Sequence, residues 1–194
     1  MIREITDKEY GSGIYAIRDI EENTIIYKDK ISFIIEKENK YWYDEIIHYE
    51  LTNNYEKFMS LVPESIDKYS FSDVDFIKNY SFLNIHKSKL NNFLILCYNK
   101  VIRNAFNVYY NNKNYATILY NGRKFNHSCV PNISFKLLIE NKSLFMLFFT
   151  NCKIIKNSQL FDNYFDINIP TTQRQLISKK YYGFVCKCPK CSFK

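Results

Sequence analysis

The spacing of apolar and polar positions changes character several times along the chain. Residues 13–35 carry short apolar runs, IYAI, TIIY and ISFII, broken by charged turns, a period that predicts brief β-strands. From about residue 40 to 112 apolar residues recur at helical spacing. The clearest stretch is LNNFLILCYNKVIRNAFNVYY (90–110), where Leu90, Phe93, Leu94, Cys97, Val101, Ala105 and Val108 fall on or near one stripe. That region reads as several helices. After a turn-rich spacer at Asn111–Asn114, extended segments return as YATILY, NISFKLLIE and SLFMLFF. From Pro170 onward TTQRQLISKKYY reads as a helix running into a cysteine cluster. No internal repeat is visible. The expected organisation is α+β: strands over 1–39, a helical insert over 40–112, further strands over 113–168, and a cysteine-bearing arm over 169–194.

Composition narrows this picture. A chain of 194 residues suits one domain, and 46% apolar residues with 18% aromatics argue for a packed core rather than disorder. The formal net charge is +7, but the lysines are dispersed, so a solvated basic surface is expected and direct nucleic-acid binding is not. No apolar run approaches the roughly 20 residues that span a bilayer, and MIREITDKEYGSG lacks the apolar stretch of a secretory signal. The expectation is an intracellular protein of nucleus or cytoplasm, away from membranes, whose six cysteines are thiols or thiolates rather than disulfides.

Two motifs hold the candidate chemistry. FNHSCVPN (125–132) sets His127 and Cys129 between Asn126 and Asn132, which suits a catalytic pair, half of a metal site, or a rigid bend gripping a ligand. CKCPKC supplies Cys186, Cys188 and Cys191, three thiols close enough to share one ion. Structural zinc takes four ligands in a tetrahedron, so one more is needed. A redox pair is disfavoured without a neighbouring thioredoxin-like βαβ pattern. Cys97 lies on the apolar stripe and reads as a small buried hydrophobe, and Cys152 has no polar company. Cys129, on a proline-stiffened bend expected to be exposed, is the preferred fourth ligand. A zinc thiolate is not free to attack, which sets the catalytic-pair reading aside.

With these motifs assembled, the chain resembles the SET-domain protein lysine methyltransferases, and among them the SET-and-MYND (SMYD) branch. YGSGIYAIRDI (10–20) is similar to the family's G-x-G-[LI]-x-A-x-x-D-I opening, RNAFNV (103–108) to its N-[AS]-F-x-[IV] segment, and FNHSCVPN to its NHSCxPN signature. NSQLFDNYFDINIPTTQRQLISKKYYGFVCKCPKC (157–191) follows its GEEL…Y…P-T-x-x-R…Y-x-F-x-C-x-C-x-x-C ending. The resemblance implies a β-rich SET domain of short sheets with a helical insert and a zinc-binding post-SET arm. It implies S-adenosylmethionine as methyl donor, one structural zinc ion, and a lysine-presenting protein, histone or otherwise, as substrate. Gly11, Ser12 and Gly13 would let the backbone approach the donor. Asn104, Asn126 and His127 match donor-holding positions, His127 chiefly through its backbone. Phe184 matches the ring that stacks on adenine. Tyr164 matches the active-site tyrosine, also against the donor, and Tyr182 a second tyrosine of the lysine channel. Cys129, Cys186, Cys188 and Cys191 match the zinc ligands, while His48 and His86 fall in the insert without a role.

The chemistry asks for these residue types. Methyl transfer to an amine needs neutral lysine, whose free pKa is about 10.4, and an aromatic channel beside a sulfonium disfavours the charged form. The chain also departs from the family. Asn23 and Asn157 stand where glycines are usual, positions asparagine tolerates because it accepts positive φ. GEEL has become Asn157, Ser158, Gln159 and Leu160. Residues 40–90 contain no cysteine, so no MYND finger is expected there, and with three residues after Cys191 no C-terminal helical domain is expected either. The competing expectations are a SET-fold interaction module without turnover and, more remotely, a zinc-dependent nucleic-acid binder.

Overall fold

The computed structural model describes residues 1–7, 11–39, 42–66 and 87–192. Tyr10, at the head of the first motif, and 67–86 of the expected insert, with His86, lie outside the described residues. The strands form three small sheets. In the first, β1 (Ile2–Asp7), β2 (Gly11–Ala16), β10 (Gln159–Asp162) and β7 (Asn126–His127) lie side by side in that order. In the second, β9 (Ser143–Thr150) runs between β3 (Ile25–Ile31) and β8 (Ile133–Glu140). Its central place explains why SLFMLFFT is nearly all apolar: Met146, Leu147 and Phe148 are buried. The third sheet has β6 (Lys113–Ile118) between β4 (Ile35–Glu36) and β5 (Ala105–Tyr110).

Asparagine supplies the tight turns that a glycine-poor chain needs. Asn111 and Asn112 (φ 48° and 61°) close the β5–β6 hairpin, and Asn141 with Lys142 (φ 49° and 61°) close β8–β9. Asn23 and Asn157 also take left-handed φ, 59° and 68°, so the turns expected at these glycine-replacing positions are kept.

The helices sit against the third sheet. They are α1 (Trp42–Asn53), α2 (Tyr55–Met59) and α3 (Lys87–Asn104). Ile46, Ile47, Phe58, Leu61, Leu94, Cys97 and Val101 form their shared core, with Ala116 and Ile118 from β6. Cys97 is fully buried, and burial pushes its thiol up to about 12, as suits a small hydrophobe. A second core, with Ile14, Ile133, Met146, Phe148 and Leu160, lies among the other sheets.

The apolar stripe expected to run helically to Val108 is corrected here. The helix stops at Asn104, and AFNVYY pairs in register with β6 from Ala105↔Ile118 to Tyr110↔Lys113. Ala105 and Val108 fit a helical spacing, but the segment is rich in aromatic and β-branched residues, and pairing with a neighbouring strand decides the matter. The residue before the break is held firmly: the Asn104 side-chain amide donates to Lys100 O (2.8 Å) and Val62 O (2.6 Å). Lys100 itself is fully buried, its ammonium donating to Met59 O (2.9 Å), Leu61 O and Pro63 O (2.7 Å). Three carbonyls for three N–H bonds satisfy the charge and tie α3 to the chain after α2.

After β10 the chain turns into α4 (Thr171–Ile177), a π-helical turn (Ser178–Tyr182) and α5 (Pro189–Ser192). Gly183, with φ 78°, ends the π turn and sends the tail back toward β7.

Candidate functional site

The NHSC segment meets the segment that leads to Tyr164 because β7 and β10 pair in parallel, Phe161↔Asn126 and Asp162↔His127. Asn132 completes the join: its side chain donates to Gln159 O (2.9 Å) and accepts from Phe161 N–H (2.7 Å). Asn132 thus clasps the end of NHSCVPN to the neighbouring strand.

Cys129 follows β7 directly, and the tail brings the other three cysteines to it. Its sulfur lies 3.9 Å from that of Cys186 and 3.5 Å from that of Cys191, and the four sulfurs, Cys188 included, lie within 4.8 Å of one another. With Zn–S bonds of about 2.3 Å a tetrahedron has edges of about 3.8 Å, so the group fits one zinc ion. Burial and the neighbouring thiols push the Cys129 thiol up, so four thiolates need a cation among them to coexist. Cys129 is 1% exposed, which corrects the expected exposed bend: the tail covers the thiol it binds. Arg174, also buried, donates through Nη2 to Thr171 Oγ1 (2.8 Å), Lys190 O (3.1 Å) and Cys191 Sγ (3.7 Å), setting positive charge beside the sulfurs. Cys97 and Cys152 lie outside the cluster.

Next to this cluster opens a cavity of about 870 Å³, lined by residues from separate parts of the chain. Ser12 comes from β2, Asn104 from the end of α3, Asn126 and His127 from β7, Tyr164 from beyond β10, and Tyr182 and Phe184 from the tail. The site expected from sequence is therefore brought together, except that Gly11 and Gly13 do not line it. Gly11 adopts φ 69°, a left-handed conformation that suits glycine. Gly13 is crowded from the strand side: a Cβ there would collide with Gln159 Nε2 and stand 2.9 Å from Asn126 Nδ2. Its missing side chain makes room for Asn126, which donates to Ser12 O at 2.9 Å.

An aromatic group walls the cavity. The Tyr164 hydroxyl donates to Phe125 O (2.9 Å), and Tyr182 donates to Tyr164 O (3.1 Å), their rings 5.1 Å apart. Burial raises both phenols, Tyr182 to about 12, so both stay neutral. The Tyr164 N–H donates to His127 Nδ1 (3.1 Å), which leaves the proton on Nε2, facing Cys129 Sγ at 3.3 Å. Burial, with Arg174 nearby, holds His127 down at about 4, hence neutral. Its side chain braces the cluster. Phe184 lies 5.7 Å from His127 between ring centres.

A second cavity of about 260 Å³ shares Arg103, Asn104, Arg123, Tyr164 and Tyr182 with the first. Asp162, Asn163, Phe165 and Asp166 complete its wall with Phe106 and others. Sequence reasoning missed Asp162, which is 2% exposed. The available signal was a carboxylate closing an otherwise inward-facing strand, QLFD.

Comparison with known proteins fits this geometry. The SET domain family matches residues 11–165. A SET domain-containing protein of Acanthamoeba polyphaga mimivirus is 34% identical over 206 residues, covering 98% of this chain and 77% of its own. The SET domain and MYND-type zinc finger protein 6 of Schizosaccharomyces pombe is 38% identical over 68 residues, 35% of this chain and 13% of that protein. Among solved structures, CpSET8 from Cryptosporidium aligns with a TM-score of 0.48 at 19% identity, over 87% of this chain and 59% of that chain.

Proposed function

The chain belongs to the SET-domain family, and on that premise we propose that it is an SMYD-like protein lysine methyltransferase using S-adenosylmethionine. The observation that carries this reading is the meeting of two cavities at Tyr164 and Tyr182, one large enough for a nucleoside-sized ligand and one of about 260 Å³. The bound donor supplies an electrophilic methyl group on a sulfonium. In the larger cavity Phe184 would offer a flat ring, with Asn104 and Asn126, whose amide groups are held by backbone carbonyls, in the wall beside it. The backbone of His127 would meet the donor, while its imidazole stays committed to Tyr164 and Cys129. The smaller cavity would take a lysine side chain. There the neutral phenols of Tyr164 and Tyr182 would orient the amine without adding charge. The zinc would be structural, holding Tyr182 and Phe184 over the donor.

The partner in this reading is a protein presenting a lysine, histone or non-histone, met in nucleus or cytoplasm where the four thiols stay reduced. No helix among the described residues is long and apolar enough to cross a membrane.

Calorimetric titration with S-adenosylmethionine, followed by radiolabelled-methyl transfer to whole-cell protein, tests the proposal. Binding should fall at least tenfold in Phe184→Ala. Tyr164→Phe should keep binding within a few-fold yet lose tenfold or more of the transfer. Donor binding without incorporation into any protein would leave an interaction module; no donor binding at all would end the reading.

A further inference from the structure

The smaller cavity is lined in part by a group that the tyrosines do not explain. Asp162 is 2% exposed, and its Oδ1 has no hydrogen-bond partner. A buried carboxylate left in this state is costly, and a fold seldom keeps one without a use for it. The residue lines the cavity beside Tyr164 and Tyr182 and is absent from the wall of the larger one. Its place is set by backbone, since its carbonyl accepts from Ser128 N–H (2.9 Å) and it stands opposite His127 in the β7–β10 pair.

We propose that Asp162 receives the ammonium of the substrate lysine and takes the proton that must leave before the amine can react. The inference rests on the methyltransferase reading above and adds a residue to it. Oδ1 accepts one N–H proton, giving a carboxylic acid and a neutral amine. The amine lone pair then forms the C–N bond to the methyl carbon of the sulfonium donor. The C–S bond breaks with its electron pair left on sulfur, and the product is a methylated ammonium beside a thioether. Asp162 afterwards returns its proton to solvent.

The surroundings suit this task. Burial lifts the carboxyl to about 7, opposed only by a hydrogen bond from the Asn163 backbone, which brings it close to the working range of a general base. The titratable groups around it are the neutral phenols of Tyr164 and Tyr182 and the neutral imidazole of His127. Arg103, Arg123 and the exposed Asp166 share the cavity wall, and none of them donates a hydrogen bond to Oδ1.

The test is the near-isosteric Asp162→Asn in the full chain with zinc bound. S-adenosylhomocysteine should bind within twofold of the parent, because Asp162 is not part of that cavity. In the S-adenosylhomocysteine-loaded protein at pH 8, NMR titration with Nα-acetyl-lysine methylamide should show at least tenfold weaker binding to the variant. The norleucine analogue should bind both proteins alike. The kcat/KM of methyl transfer should fall at least thirtyfold at pH 7, with the gap closing toward pH 10 as lysine loses its proton unaided. Equal lysine-amide binding, or pH profiles that run parallel, would overturn the assignment. Should the Asn variant fail to bind S-adenosylhomocysteine, Asp162→Ser takes its place. A parent that does not prefer the lysine amide to the norleucine amide overturns the proposal without any variant. A parent that binds no donor refutes the methyltransferase reading instead, whereas transfer unaffected by Asp162→Asn refutes only this inference.

Discussion

Asp162 has a consequence for stability that does not depend on turnover. A carboxyl near 3.9 in the unfolded chain and near 7 in the fold is favoured folded only while protonated. The stabilisation is present below pH about 4 and is lost as pH rises through about 7. With equal zinc loading, Asp162→Asn should melt close to the parent at pH 4. It should become progressively more stable than the parent toward pH 8, by on the order of a few kcal/mol. Differential scanning calorimetry across pH checks this, and a variant that is less stable at pH 8 would contradict it. Other residues were readable from the chain itself. Asn23 and Asn157 keep their turns with φ of 59° and 68°, which follows from asparagine's tolerance of that region. Asp162 was not readable, because the cost of a buried carboxylate depends on which strand lies beside it.

At the level of elements, the passage from α3 into β5 carries the most information. The stripe from Leu94 through Val101 is a true helix face, buried as its spacing predicts. Beyond Asn104 the same spacing misleads, because strand β6 offers six backbone partners that a sequence pattern does not display. Lys100 was likewise hidden: a lysine on a helix ordinarily reads as solvated, yet this one is fully enclosed by three carbonyls. Lys100→Met should preserve most of the volume while leaving those carbonyls without a donor. A loss of about 3 kcal/mol is expected from the urea midpoint at unchanged slope, given a penalty of ~1–3 kcal/mol for an unsatisfied buried group. A loss below about 0.5 kcal/mol would mean that water replaces the ammonium there.

For the whole molecule, the tail is the keystone, since it delivers three cysteines to Cys129 and two aromatic side chains to the larger cavity. Cys129→Ser should lower bound zinc from about one ion per chain to a small fraction, read by elemental analysis. Chelation of the parent should weaken donor binding at least tenfold while far-UV circular dichroism changes little, because two apolar cores hold the three sheets without residues of the tail. Intact donor affinity in the metal-free protein would show that the tail needs no ion to stay closed. The sequence by itself determined the α+β class, the positions of most strands and the cysteine foursome, because periodicity, turn chemistry and ligand spacing are local properties of a chain; the aromatic and asparagine candidates came from the resemblance of its motifs to the SET family. Tertiary structure alone decided where α3 gives way to β5, that Cys129 is covered rather than exposed, that Gly13 yields room to a neighbouring strand, and that Asp162, its Oδ1 without a hydrogen-bond partner, lines the second cavity. Each of these depends on contacts between segments far apart in the chain, and strand pairing and burial create them only when those segments meet.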